Sequence, residues 1–140
     1  MTGPVNGPAG QLYVDDGGAG GLPVVFVHSY AGSGAHWAAQ LAHLRPTRQA
    51  VAFDFGGHGR SEAPAAGDYA VESLAADIAA VVDALGLGRF VLVGHSMGGA
   101  AAHPGDLRLR PDARLEGVPG AQAGGHLTRL VAGRAAQPRA

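Results

Sequence analysis

The chain has 140 residues, 46% of them hydrophobic, no cysteine, and a formal charge of −1 at pH 7. That length suits one domain with a buried core. The lack of cysteine excludes disulfides and thiolate-held metal, and the near-neutral charge argues against a general polyanion binder. Residues 1–103 carry eight acids and four arginines, net −4, whereas residues 104–140 carry three acids and six arginines, net +3, and lysine is absent. The tail's arginines are scattered among prolines with no aromatic neighbours, so they read as a solvated surface and not as a nucleic-acid site. No apolar run approaches the ~20 residues of a membrane-spanning helix. The first residues lack the basic and apolar regions of a secretory signal, so a cytoplasmic location is the expectation, with no membrane partner.

In chain order, residues 1–22 read as a Gly/Pro-rich lead-in around an edge strand at Gln11–Val14. Val24–Val27 (VVFV), behind Pro23, is a short β-branched and aromatic run that predicts a buried strand. HSYAGSG (28–34) is a polar connection in which Ser33 can cap the next helix. Trp37, Leu41 and Leu44 then make one helix face that stops before Pro46. Ala50–Phe53 predicts a second strand, followed at Asp54 by the glycine-rich loop FGGHGRS (55–61). Over residues 71–85, Val71, Leu74, Ala75, Ile78, Val81, Val82 and Leu85 form one apolar stripe. Gly86 supplies the stop for that helix. Phe90–Val93 is the third strand. Strands alternating with helices predict a parallel sheet covered by helices, whose strands read as solid apolar runs because both faces are buried.

Gly94-His95-Ser96-Met97-Gly98 fits G-x-S-x-G placed between a strand and a helix. Reversing the chain sharply at the serine requires small residues two before and two after it. The helix then starts at the serine, so its exposed N–H groups and dipole favour a developing oxyanion, with the Met97 N–H as one donor. Other glycine-rich chemistries fit less well: G-x-G-x-x-G is absent here, and a phosphate-binding P-loop needs a lysine. Seven histidines invite a metal, but neither H-x-H nor H-E-x-x-H occurs. Asp54 and His58 are the one pair worth weighing, and hydrogen bonding within their own loop is the preferred role. No cofactor and no metal are expected.

Three stretches together resemble the α/β-hydrolase superfamily in its serine-nucleophile, esterase- and lipase-like branch. VVFVHSYAGSGAHW (24–37) resembles its strand and oxyanion loop, usually H-G-x-x-G, with Ser29 where glycine is usual. FDFGGHGRS (53–61) resembles its D-x-x-G-H-G-x-S loop, and VLVGHSMGG (91–99) its nucleophile elbow. The resemblance implies Ser96 as nucleophile, the backbone N–H groups of Tyr30 and Met97 as the oxyanion hole, and Asp54 as a structural loop residue. It also implies a small-molecule ester or similar acyl substrate. Serine at the elbow argues against the dehalogenase and epoxide-hydrolase branches, where the resemblance would put aspartate.

The family's order after the nucleophile is acid, then histidine. Asp106, Asp112 and Glu116 are the remaining acids, and His103 and His126 the remaining histidines. His103 falls on or at the end of the elbow's own helix and would point away. PDARLEGVPGAQAGGHLTRL (111–130) resembles the family's last strand and histidine loop, which implies a strand end near Leu115–Val118, His126 as the base, and a helix after it. A surface histidine in a glycine-rich tail is the alternative. Asp106 is the only remnant near an acid position, and Asp112 sits at the entry to the presumed last strand.

The expected fold class is therefore α/β: a partial α/β-hydrolase fold, mostly parallel, with helices on both faces and with the lid and later strands missing. Residues 1–22 would be the lead-in, 23–103 the core through the elbow, and 104–140 a short C-terminal remnant. A frameshifted sequence after residue 100 is the competing account of the tail. Missing strands predict an unpaired edge and an uncovered sheet face, hence self-association. The competing functional readings are a non-catalytic remnant and an association module.

Overall fold

A computed structural model describes residues 2–29, 32–64, 67, 69–95, 98, 101, 107–115 and 128–131. The strands are β1 (Thr2–Gly7), β2 (Gly10–Gly17), β3 (Val24–Val27), β4 (Ala50–Phe53), β5 (Arg89–His95), β6 (Arg114–Leu115) and β7 (Thr128–Val131). The helices whose bounds fall among the described residues are α1 (Ala38–Leu44) and α2 (Val71–Ala84). The sheet runs β1-β2-β4-β3-β5-β6, and β7 also pairs with β5. β4, β3, β5 and β6 are mutually parallel, while β1 and β2 form an antiparallel hairpin joined antiparallel to β4.

Every residue of β3 and β4 is buried. Successive side chains of a strand point to opposite faces, and each face has its own core. Val25, Val27, Val51, Phe53 and Leu92 pack with Leu74, Ile78, Val81 and Val82 of α2. Val24, Phe26, Ala50, Ala52 and Val91 pack with Leu41 of α1 and with Trp37 and Leu44. The apolar runs are solid because both faces are covered. Trp37 closes a 3-10 turn over Gly34–Trp37 that leads into α1, and the Ser33 hydroxyl accepts from the Ala35 N–H at 3.3 Å, the cap expected of it.

Residues 1–22 contribute more than one edge strand. Thr2–Gly7 forms the edge, and Gly10–Gly17 lies inside it, between β1 and β4. The sequence TGPVNG hides this strand because it lacks apolar alternation, and its Pro4 is tolerated at an edge.

The C-terminal part departs most from expectation. Leu107, Ala113 and Leu115 are buried in the α2-side core, so residues beyond 100 belong to the fold. Arg110 fastens them: it donates to Val82 O at 3.3 Å and to Leu87 O, and pairs with Asp83 at 3.0 Å and Asp112 at 2.8 Å. A cation on the last carbonyls of α2 also complements that helix's dipole. The expected last strand is the short β6, and it pairs directly with β5 instead of waiting for a missing neighbour.

After residue 126 the resemblance implied a helix; the structure has strand β7, antiparallel to β5 with Leu92 opposite Val131 and His95 opposite Thr128. The physical reason is the edge of β5. β3 takes one side, and β6 covers only Arg89 and Phe90 on the other. Unpaired N–H and C=O groups of Leu92–His95 would otherwise face no partner, and β7 supplies it. The uncovered apolar face expected from the missing strands does not show among the described residues, where Tyr69 is the one exposed large hydrophobic side chain.

Inside α2, Asp77 is 7% exposed and accepts from the Gly56 N–H at 2.9 Å. Burial pushes its pKa above the ordinary 3.8, against the hydrogen bond from Gly56 and the nearby His58. Between 3.8 and the higher folded value the native chain binds more protons than the unfolded one, so this carboxyl makes stability fall as pH rises. Asp77→Asn keeps an acceptor for Gly56 and removes the charge. It should raise urea-unfolding stability at pH 7, with the gain vanishing below pH 3.8. A gain that persists unchanged at acid pH would contradict this cause.

Candidate active site

The carboxyl ends of β3, β4 and β5 share one edge of the sheet, since Val27 is opposite both Phe53 and Gly94. The loops that leave β3 and β4 are tied to one another by buried polar groups.

After β4, the Asp54 side chain, 5% exposed, accepts from the Gly34 N–H at 2.6 Å and the Arg60 N–H at 2.9 Å. It joins the start of the 3-10 turn after β3 to its own glycine-rich loop. Ser61 closes that loop, donating to Asp54 O at 2.5 Å while its oxygen accepts from the Tyr13 N–H at 2.8 Å. Gly59 has φ +50°, and a Cβ there would run into the Asp54 carboxylate. The spacing of the D-x-x-G-H-G-x-S stretch is thus the spacing of a closed hydrogen-bonded loop. Asp54 has its oxygens engaged by backbone donors, and His58 Nδ1 lies 3.1 Å from Gly56 O. Among the described residues no three His, Asp or Glu side chains gather as a metal ion would need.

After β3, His28 is 1% exposed. Its Nε2 accepts from the Phe55 N–H at 3.0 Å, which leaves Nδ1 to carry the proton and donate to Ser29 O at 2.7 Å. Burial lowers the pKa of His28 below 6.5, more than its hydrogen bond to Ser29 raises it. A neutral ring is what this geometry requires, because a protonated Nε2 could not accept from Phe55. Gly32 N–H donates to Ser29 O at 3.0 Å, closing the segment that the resemblance assigns to the oxyanion loop.

After β5, Gly98 is buried and helical, and a Cβ there would stand 2.5 Å from His28 O and 2.6 Å from Val27 O. The second glycine of G-x-S-x-G is therefore where the elbow helix crosses the end of β3. Ala101, one turn on, is fully buried in the α2-side core.

Ser96, Met97, Tyr30, His126, Asp106, His103 and Glu116 lie outside the described residues. Their flanks are described. Ser29 and Gly32 bracket position 30, His95 and Gly98 bracket positions 96 and 97, and Thr128 follows position 126 by two residues. Asp112 is placed, and badly for catalysis. It pairs with Arg110 just before β6, beside Arg89 at the amino end of β5, the opposite end from the elbow.

Beside the elbow lies a cavity of about 320 Å³, lined by His28, Ser29, His36, Trp37, Gln40 and His95. Sequence reasoning did not single out His36 and Gln40. Their i, i+4 spacing across the 3-10 turn and α1 is a signal that could have found them, since such residues share a helix face.

A family model described as the alpha/beta hydrolase fold matches residues 23–103. The chain belongs to the α/β-hydrolase fold family. Among curated relatives, it is 42% identical over 102 residues to a non-heme chloroperoxidase of Streptomyces lividans, covering 67% of this chain and 37% of that protein. It is 37% identical over 79 residues to the putative carbamate hydrolase RutD of Klebsiella pneumoniae (strain 342), covering 56% of this chain and 30% of that protein. Among solved structures, Est816, described as an N-acyl homoserine lactone degrading enzyme, superposes with a TM-score of 0.73 at 35% identity, covering 82% of this chain and 43% of that one. The epoxide hydrolase VrEH1 from Vigna radiata superposes at 0.66 with 31% identity, covering 72% of this chain and 32% of that one. The chain thus spans about a third of the length of these curated relatives. The mostly parallel sheet with helices is a partial α/β-hydrolase fold.

The Gly98 contact carries a direct test. Gly98→Ala should cost roughly 1–3 kcal/mol in urea unfolding, as overpacking against fixed backbone does. Gly3→Ala, where nothing lies within 4 Å, should stay within about 0.5 kcal/mol. Equal effects at the two positions would remove the steric reason for the second glycine.

Proposed function

We propose that the chain is a serine hydrolase of carbonyl–heteroatom bonds, of the ester, lactone or carbamate type. Ser96 is the nucleophile, His126 the base, and the N–H groups of Tyr30 and Met97 form the oxyanion hole. The Ser96 hydroxyl attacks the substrate carbonyl while His126 takes its proton, then returns that proton to the departing alcohol or amine. Water, deprotonated by the same imidazole, releases the acid.

The observation that carries this reading is the register of β7 on β5. Thr128, two residues after His126, is opposite His95, one residue before Ser96. Gly98 against the end of β3 supports a sharp turn at the serine. The names of the lactone-degrading and carbamate-hydrolase relatives support the substrate class.

No described carboxylate fits the orienting acid. Asp54 holds backbone donors, and Asp112 is at the far end of β5. Loss of the orienting acid from a serine–histidine pair costs about 10⁴ in kcat, and the acids Asp106 and Glu116 lie outside the described residues. The lack of a fitting carboxylate among the described residues favours a second reading, a protein that keeps the fold without turnover.

The two readings separate with a p-nitrophenyl acetate assay. The hydrolase reading predicts a p-nitrophenol burst stoichiometric with protein, abolished in Ser96→Ala and slowed by at least about 10³ in His126→Ala. Equal, negligible signals from all three proteins would leave the non-catalytic reading.

A further inference from the structure

A larger cavity, of about 460 Å³, lies on the α2 side of the sheet, where Leu12 and Leu74 belong to the core. The β1–β2 turn, the loop after β4 and the first turns of α2 enclose it. Leu12, Pro64 and Ala76 are among its apolar walls, while Glu62, Glu72 and Asp77 bring three carboxyls. No basic side chain is among its described lining residues.

Asp77 is the buried member of the three, and only one of its oxygens is used. Oδ2 accepts from the Gly56 N–H, whereas Oδ1 has no donor among the described residues. Nor is Oδ1 sealed in protein, since the sealed and unpaired side-chain atoms among the described residues are Trp37 Nε1 and Arg48 Nε. In a side chain only 7% exposed, that oxygen therefore opens onto the cavity. Glu62 Oε1 accepts from the Gln11 N–H at 2.8 Å, which holds that carboxyl beside the hairpin. Among the described residues no arginine pairs with any of the three. His58 is the nearby group that offsets the charge of Asp77, and burial outweighs it.

An ionised carboxylate only accepts, so a donor is what this space lacks. A neutral hydroxyl can bond to Oδ1, but a cation also offsets the charge that burial penalises. The N-terminus of α2 contributes roughly half a positive charge, too little to balance three carboxyls. The three do not gather as a metal ion would need, and apolar walls suit a carbon skeleton. A cavity of this size accommodates a small organic molecule.

We propose that this cavity binds a primary ammonium carried on a short apolar body, with Asp77 Oδ1 as the anchor and Glu62 and Glu72 as flanking charges. The site stands apart from the reading of Ser96, because none of its residues belongs to the proposed catalytic set.

The protein is titrated by calorimetry at pH 7 with 4-phenylbutylamine, 4-phenylbutanol and 4-phenylbutyrate, which share a body and differ in the head group. The amine should bind saturably, with a Kd at least about tenfold below that of the alcohol, and the acid should bind most weakly. Asp77→Asn keeps an acceptor for Gly56 and removes the charge, and should narrow the amine-to-alcohol ratio to less than about threefold. Ala76→Phe should abolish binding of both by filling the cavity. Equal or tighter binding of the alcohol or the acid overturns the proposal, as does an unchanged ratio in the Asp77→Asn protein. No saturable binding of the amine up to about 10 mM also overturns it. Amine binding that survives in a folded Ala76→Phe protein lies elsewhere on the surface and does the same; should that variant fail to fold, the Asp77→Asn ratio decides alone.

Discussion

The antiparallel pairing of Thr128–Val131 with Leu92–His95 is the contact on which the rest of this protein depends. A central strand of an α/β sheet cannot leave its outer backbone groups bare, because unpaired buried N–H and C=O groups are among the costliest defects a fold can carry. In longer relatives further chain is available to flank that strand. Here β6 covers only its first two residues, and the C-terminal segment turns back along the remainder. The same pairing that completes the sheet sets Thr128 opposite His95, the residue before the proposed nucleophile. Structural necessity and proposed chemistry thus share one set of hydrogen bonds.

The loops at that edge are held by groups that do no chemistry themselves. Asp54 links the loop after β4 to the turn after β3, and neutral His28 links the loop after β3 back to Phe55. Buried polar groups of this kind are stabilising only when fully satisfied, and each of these is. Their effect is to hold the ends of β3 and β4 as one rigid rim, on which the proposed nucleophile and oxyanion donors would need little reorganisation. Gly98 adds the steric part, letting the elbow helix pass over the end of β3 at backbone contact distance.

Much of this fold is legible in the sequence. Val24–Val27 and Ala50–Phe53 read as buried strands with the observed bounds, and the stripe from Val71 to Leu85 reads as α2, which ends at Ala84, because solid apolar runs and a 3.6-residue period each have one structural meaning. β1 is illegible because an edge strand is stabilised by backbone pairing and carries little apolar pattern. The resemblance implies a helix where β7 stands, because pairing with β5 is a tertiary interaction that overrides local preference. The role of Asp54 is legible from its loop motif. The polar rim of His36, Gln40 and His95 is not, since each residue alone looks like an ordinary exposed position on its element, and only the crossing of α1 over the sheet edge brings them together.

The central claim is that Thr128–Val131 lies against β5, with Thr128 opposite His95. The chain has no cysteine, so His95→Cys with Thr128→Cys provides the one pair able to cross-link. Opposed residues of antiparallel strands fall within the α-carbon range of a disulfide. The account predicts an intramolecular disulfide on mild oxidation, seen as a loss of two thiols in the monomer by mass spectrometry. Two free thiols, or bridges only between separate molecules, would contradict it.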